Sequence, residues 1–283
     1  MSRESATEIL LDGLTFPEAP RWRDGKLWFS DFYSYRVMRV GLDGRAETVA
    51  EVPQRPSGLG WTPEGALLIV SMLDRRLMRL EGGKLRLVAD LSALATGPCN
   101  DMVVDGAGRA YVGNFGFDRH AGEAERRTCL ARVDPDGTVA RVAEDLFFPN
   151  GTVITPDGKC LVVGETLAKR LTAFDLGPGG ALAKRRVFAQ FEDSYPDGIC
   201  LDAEGAIWVA DARGNRVIRV FEGGRVERTI STGEQGAYAC MLGGADRRTL
   251  FICTSSGTGP AMAEKRDGRI EFARVDVPGA GLP

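Results

Sequence analysis

The sequence predicts an all-β fold: one six-bladed β-propeller over residues 1–283, with four antiparallel strands per blade. Three observations carry that expectation. A turn glycine followed by an apolar, strand-length run recurs at Gly25, Gly65, Gly108, Gly158 and Gly205, at gaps of 40, 43, 50 and 47 residues. "DRRTLFICT" repeats the pattern a sixth time, with Arg248 in the glycine's place. No window holds a 3.6-residue apolar period for ten residues, so helical repeats are excluded. A period of roughly 40–50 residues with about four short strands per unit is the signature of propeller blades.

The blades follow in chain order. "RDGKLWFSD" is the first glycine hairpin, and "RVMRV" is the strand after it. "PEGALLIVS" with "RLMRL", "GAGRAYVGN" with "CLARV", "PDGKCLVVG" with "RLTAF" and "AEGAIWVAD" with "RVIRV" repeat the arrangement. Short apolar runs around tight glycine turns are hairpin signals. The sixth unit, ending in "IEFARV", lacks an outer strand. "EILLDG" (Glu8 to Gly13) is expected to supply it and so close the ring, covering an exposed strand edge. "GPGG" at Gly177 to Gly180 reads as a loop within blade four, not as a linker.

Composition narrows the function. The chain is 43% hydrophobic and 27% charged, with a net charge of −3 and both signs interspersed. That balance points away from nucleic-acid and anionic-membrane partners. "MSRESATEIL" lacks the basic start and apolar stretch of a signal peptide, and no apolar run approaches ~18 residues, so a cytoplasmic protein without a membrane span is expected. Six cysteines without a close pair read as reduced thiols. The single histidine, His120, excludes Ser-His-Asp and multi-histidine metal chemistry, and is expected at the surface. Oligomeric state is left open.

The first strand of each blade lines the central channel, so equivalent positions on those strands face one another. Eight residues before each turn stand Ser57, Asn100, Asn150, Asp197 and Cys240; in the shorter first blade the position is Glu18. Glu18, Asn100, Asn150 and Asp197 are hard oxygen donors, suited to one divalent cation, Ca²⁺ first, with Mg²⁺ or Mn²⁺ as alternatives. Taken singly, Asn-Gly and Asp-Gly are ordinary turn pairs; four donors at one phase of a repeat favour a shared site.

The segments "FPEAPRW" (Phe16 to Trp22), "CNDMVVDGAGRAYVG" (Cys99 to Gly113), "FPNGTVITPDG" (Phe148 to Gly158), "YPDGICLDAEGAIWVAD" (Tyr195 to Asp211) and "CMLGG" (Cys240 to Gly244) resemble the SMP-30/gluconolactonase/LRE-like family of six-bladed propeller lactonases. The resemblance runs nearly the full length. It implies metal ligands at Glu18, Asn150 and Asp197, with Asp197 also as catalytic base, and a substrate-side amide at Asn100. It also admits Zn²⁺ as an occupant. Sugar lactonases similar to this chain often carry an arginine two residues before that asparagine; Pro98 stands there, which favours a less polar lactone.

Around the rim, "DFYSYR", "NFGFDRHAGEAERR" and "TSSGTGPAMAEKRDG" bring Phe32, Tyr33, Tyr35, Phe115 and Phe117 near Tyr195 and Tyr238, an amphipathic small-molecule pocket. Asn114, Phe115, Tyr195 and Arg213 are the expected substrate contacts. The loops 114–128 and 254–268 are long enough to act as lids, and Asp211 is expected to cap its own turn. Three functions follow: a metal-dependent lactonase, an esterase for aryl or activated esters at the same centre, or a non-catalytic propeller in which the cation is structural.

Overall fold

Runs such as "KLWFSD" and "LLIVS", rich in branched and aromatic residues and bounded by Asp-Gly or Glu-Gly turns, form strands of five to nine residues. The computed structural model describes residues 7–283; the expectation that no signal peptide begins at residue 1 rests partly on residues 1–6, outside the described residues. There are six four-stranded antiparallel sheets. The inner strands are β2 (Pro17–Arg23), β6 (Pro56–Trp61), β10 (Cys99–Val104), β14 (Pro149–Ile154), β18 (Pro196–Leu201) and β22 (Gly236–Gly243). Each lies against the inner strands of the two neighbouring blades, which closes the ring. The expected propeller is therefore the observed fold. Among the described residues no helix is long and apolar enough to cross a membrane.

Burial falls from the axis outward, as the repeat requires. β10, β14 and β18 are buried at every position, whereas in the outer strand β9 (Lys84–Asp90) only Ala89 is buried and the rest are exposed or half-buried. Blades pack face to face through apolar side chains; Trp22, for example, stacks on Phe251 at 5.3 Å. The last blade is completed as expected: β1 (Glu8–Leu14) pairs antiparallel with β24 (Gly268–Arg274).

Asn150-Gly151 and Asp197-Gly198 are not turn pairs. Both dipeptides lie inside inner strands. A side chain at Gly151 would meet the backbone nitrogen of Ile199 at 2.4 Å, and one at Gly198 would meet Ala239 Cβ at 2.5 Å. The glycines let neighbouring inner strands approach, and the Asn or Asp before each one stands at the channel mouth.

Beneath the mouth, Arg21 ties three blades together. Its Nη2 bonds Asp101 Oδ1 at 2.6 Å and the Met102 carbonyl at 2.7 Å. Its Nε donates to the Leu59 carbonyl at 3.0 Å, and its Nη1 to the Pro20 carbonyl at 2.8 Å. Both members of the ion pair are buried.

Candidate active site: a chamber at the channel mouth

The starts of the inner strands, the segments that lead into them and the loops after each blade's second strand enclose a chamber of ≈ 320 Å³. Its floor is polar. Glu18, Asn100, Asn150 and Asp197, from blades one, three, four and five, all line it, as the phase of the repeat predicts. Each is at most 8% exposed. Ser57 lies beside them, with its hydroxyl 3.5 Å from Asn100 Oδ1. Asn100 Nδ2 is 3.4 Å from the Pro149 carbonyl.

In blade six the expectation is corrected. The ring position belongs to Tyr238, which lines the chamber, and not to Cys240. The left-handed turn residue there is Arg247 (φ +55°), one before Arg248, and the arm leading to it is one residue longer. Cys240 turns instead into the core, with its thiol against the carbonyls of Gly198 and Trp208.

Two carboxylates close together in a buried floor oppose their own ionisation. Burial pushes the Glu18 carboxyl well above the usual carboxylate range, and the neighbouring Asp197 raises it further. The Ala19 N–H donates to Glu18 Oε2 at 2.9 Å and pulls the other way. Ala19 itself holds φ +49°, in the left-handed region. Burial raises Asp197 as well, while the Asn150 amide favours its ionised form. Asn150 is held in turn by Thr166, whose hydroxyl accepts from Nδ2 at 3.2 Å and donates to the Pro196 carbonyl at 2.7 Å.

This set fits a hard cation. Its donors are all oxygen, and a positive charge between Glu18 and Asp197 would offset the burial that raises both carboxyls. Among the described residues no group of three His, Cys, Asp or Glu side chains is placed to hold a metal, so a cation here would rest on two carboxylates and amide oxygens.

Above the floor the walls are aromatic. Phe16 packs on Phe32 and Tyr238 at 5.4 and 4.7 Å on one side, and Phe115 stacks on Phe148 at 4.4 Å on the other. Of the expected substrate contacts, Phe115, Tyr195 and Arg213 line the chamber, with Arg213 lying 4.2 Å over the Tyr195 ring. Asn114 does not. Its Oδ1 accepts from the Thr128 hydroxyl at 2.7 Å and the Gly116 N–H at 3.0 Å, and its Nδ2 donates to the Cys129 carbonyl. Its amide is buried in shaping the 114–128 loop and does not line the chamber.

Other expectations meet the structure in detail. Asp211 Oδ1 accepts the Arg213 and Tyr195 N–H groups, the capping role read from the sequence. His120 is exposed, but it stands on the chamber rim, near Gly259 of the opposite loop. The Cys99 thiol is buried and burial raises it, so no thiolate is available there. Sequence reasoning missed Thr166, Arg55 and Arg119. Thr166 follows "VVGE" with no motif of its own, and the two arginines sit among many in a chain that is one-quarter charged.

A model of the SMP-30/gluconolactonase/LRE-like region matches residues 16–256. A pentonolactonase, XacC, of Haloferax volcanii is 27% identical over 99% of this chain and 97% of its own. A 6-deoxy-6-sulfogluconolactonase of Pseudomonas putida is 29% identical over 94% and 93%. The solved structure of a calcium-binding protein, regucalcin, from Agrobacterium tumefaciens str. C58 superposes with a TM-score of 0.83 at 23% identity, covering 99% of this chain and 97% of that one, a likeness of fold.

Proposed function

Since the chain belongs to the SMP-30/gluconolactonase/LRE-like family, we propose that it is a lactonase: a hydrolase that opens a cyclic ester and depends on one divalent cation, Ca²⁺ before Zn²⁺, Mg²⁺ or Mn²⁺. The observation that carries this reading is the floor, where two buried carboxylates and two amides from four blades converge under an aromatic wall. The relatives named above, lactonases by name, support it.

Glu18, Asn150 and Asp197 would hold the cation, which when bound would polarise the lactone carbonyl and acidify water. Asp197 acts as base. It stands on the buried floor beside the cation it would help to hold, within reach of water bound there. It takes a proton from water as the water oxygen bonds to the carbonyl carbon. The ring C–O bond then breaks, and the leaving alkoxide recovers that proton. Asn100 orients the substrate carbonyl from the floor. Thr166 keeps the Asn150 amide turned correctly.

The test is hydrolysis of a panel of sugar, aliphatic and aromatic lactones, read by a pH indicator, with EDTA and then added Ca²⁺. Activity should vanish on chelation, return with cation, and fall by about 10²–10⁴ in Asp197→Asn. Full turnover by the chelated protein, or by Asp197→Asn, overturns the assignment. The aromatic walls and Pro98 favour a second reading, an aryl esterase at the same centre. A kcat/KM for phenyl acetate far above that of every lactone would select it.

A further inference from the structure

Three arginines line the chamber: Arg55, Arg119 and Arg213. Arg119 and Arg213 belong to rim loops, but Arg55 is different. It is 8% exposed, and its Nε is buried without a hydrogen-bond partner. Among the described residues no Asp or Glu stands within salt-bridge distance of it, whereas the other deeply buried arginines, Arg21 and Arg219, are paired to carboxylates at 2.6 and 2.7 Å. It lies over an aromatic face: Cζ is 4.7 Å from the centre of the Tyr33 ring. Tyr33 is itself fixed, because its hydroxyl accepts the Gly259 N–H at 2.9 Å.

A buried guanidinium is costly unless an anion or strong acceptor meets it. The backbone adds to that cost, because Arg55 adopts φ +69°, a left-handed conformation that residues with a Cβ disfavour. The backbone bonds Arg55 N–H to Val52 O at 2.9 Å and Met72 N–H to Arg55 O at 2.8 Å hold it there. The floor acids do not serve as its partner, since neither pairs with it. Arg119, His120 and Glu125, all exposed, stand on the rim of the same chamber.

We propose that Arg55 is a specificity-determining residue that receives an anionic oxygen group of the substrate, a carboxylate, sulfonate or phosphate carried on the lactone away from the ring carbonyl. The planar fork of a guanidinium matches such a group with two parallel hydrogen bonds. Tyr33 sets the plane of the fork. The ring carbonyl then reaches the floor while the anion stays at the Arg55 wall. This inference rests on the lactonase reading for its substrate, but its binding arm does not.

Two measurements separate them. In the first, kcat/KM is compared for γ-butyrolactone-γ-carboxylate and its neutral carboxamide, with wild type, Arg55→Gln and Arg55→Lys. The carboxylate should be preferred at least tenfold by wild type. The preference should collapse in Arg55→Gln and recover partly in Arg55→Lys. Equal rates in wild type overturn the proposal. In the second, calorimetry follows benzoate, benzenesulfonate, phenyl phosphate and neutral benzamide binding to the whole protein. At least one anion should bind wild type tenfold more tightly than benzamide, and Arg55→Gln should lose that margin. No preference for any anion in folded wild type overturns the proposal whether or not a lactone is turned over. If neither lactone is hydrolysed but an anion binds through Arg55, the lactonase reading fails and the anion site stands.

Discussion

Removing Arg21 is the sharpest test of how the floor is held. Its guanidinium makes four bonds, to Asp101, Met102, Leu59 and Pro20, and joins the first three blades directly behind Asn100. Arg21→Met keeps the aliphatic volume but leaves Asp101 as an uncompensated buried charge, a change of about 3–5 kcal/mol. Carbonyls stripped of their donors belong to the same loss and are not added again. For a chain of 283 residues the fall in Tm is roughly 5–8 °C.

The pH dependence gives the sign. Burial already holds the Asp101 carboxyl above its ordinary range despite Arg21, which pulls it down. Without Arg21 it rises further, so stability present at low pH is lost as pH climbs through the raised value. The deficit of Arg21→Met should therefore be smaller at pH 5 than at pH 8. Urea unfolding of Arg21→Met, Asp101→Asn and the double variant, at both pH values, measures it. The double variant strands no charge and should recover at least about 2 kcal/mol relative to the sum of the singles. A single-variant loss under about 1 kcal/mol, or strict additivity, would refute the account.

Two further outcomes follow from the same geometry. Thr166→Val removes the acceptor that holds Asn150 Nδ2, and should lower kcat/KM about tenfold while unfolding within roughly 1–2 kcal/mol of wild type; an unchanged cation affinity and rate would remove Thr166 from the site. Glu18 and Asp197 are raised by burial, so in chelated protein they weaken the fold as pH rises through their folded values. Chelated Asp197→Asn should then melt above chelated wild type at pH 8, with the gap closing below about pH 4, and Ca²⁺ at 100 times its Kd should raise wild type by about 2.7 kcal/mol. Equal melting of the two chelated proteins at pH 8 counts against a strained floor.

The architecture was legible because a propeller writes its period into the chain. Turn glycines and apolar runs return in step, and the phase that carries Asn150 and Asp197 also carries Glu18 and Asn100 to one floor. What escaped has physical reasons. Counting from a turn works only while the turn residue and arm length hold, and in blade six a turn one residue earlier and an arm one residue longer together replaced Cys240 by Tyr238. Asn114 carries the right chemistry, but loop geometry consumes its amide within fifteen residues. Apart from its neighbour Pro20, Arg21 acts on partners 38 to 81 residues away, mostly backbone carbonyls, which every sequence offers equally. Arg55 stands out only because it lacks a partner, a property that no sequence pattern displays.

The pairing of β1 with β24 sets a schedule. Glu8 meets Phe272 in that seam. At a translation rate of about 5–20 residues per second, the first strand emerges some 13–50 s before its partner. Throughout that interval five blades can stack while both edges of the unfinished ring stand open, each a template for another chain. The floor spans blades one to five, so its carboxylates and amides are all made early, yet their chamber takes its final wall from Tyr238 in the last blade. A nascent chain therefore lacks the finished chamber until blade six has joined the ring.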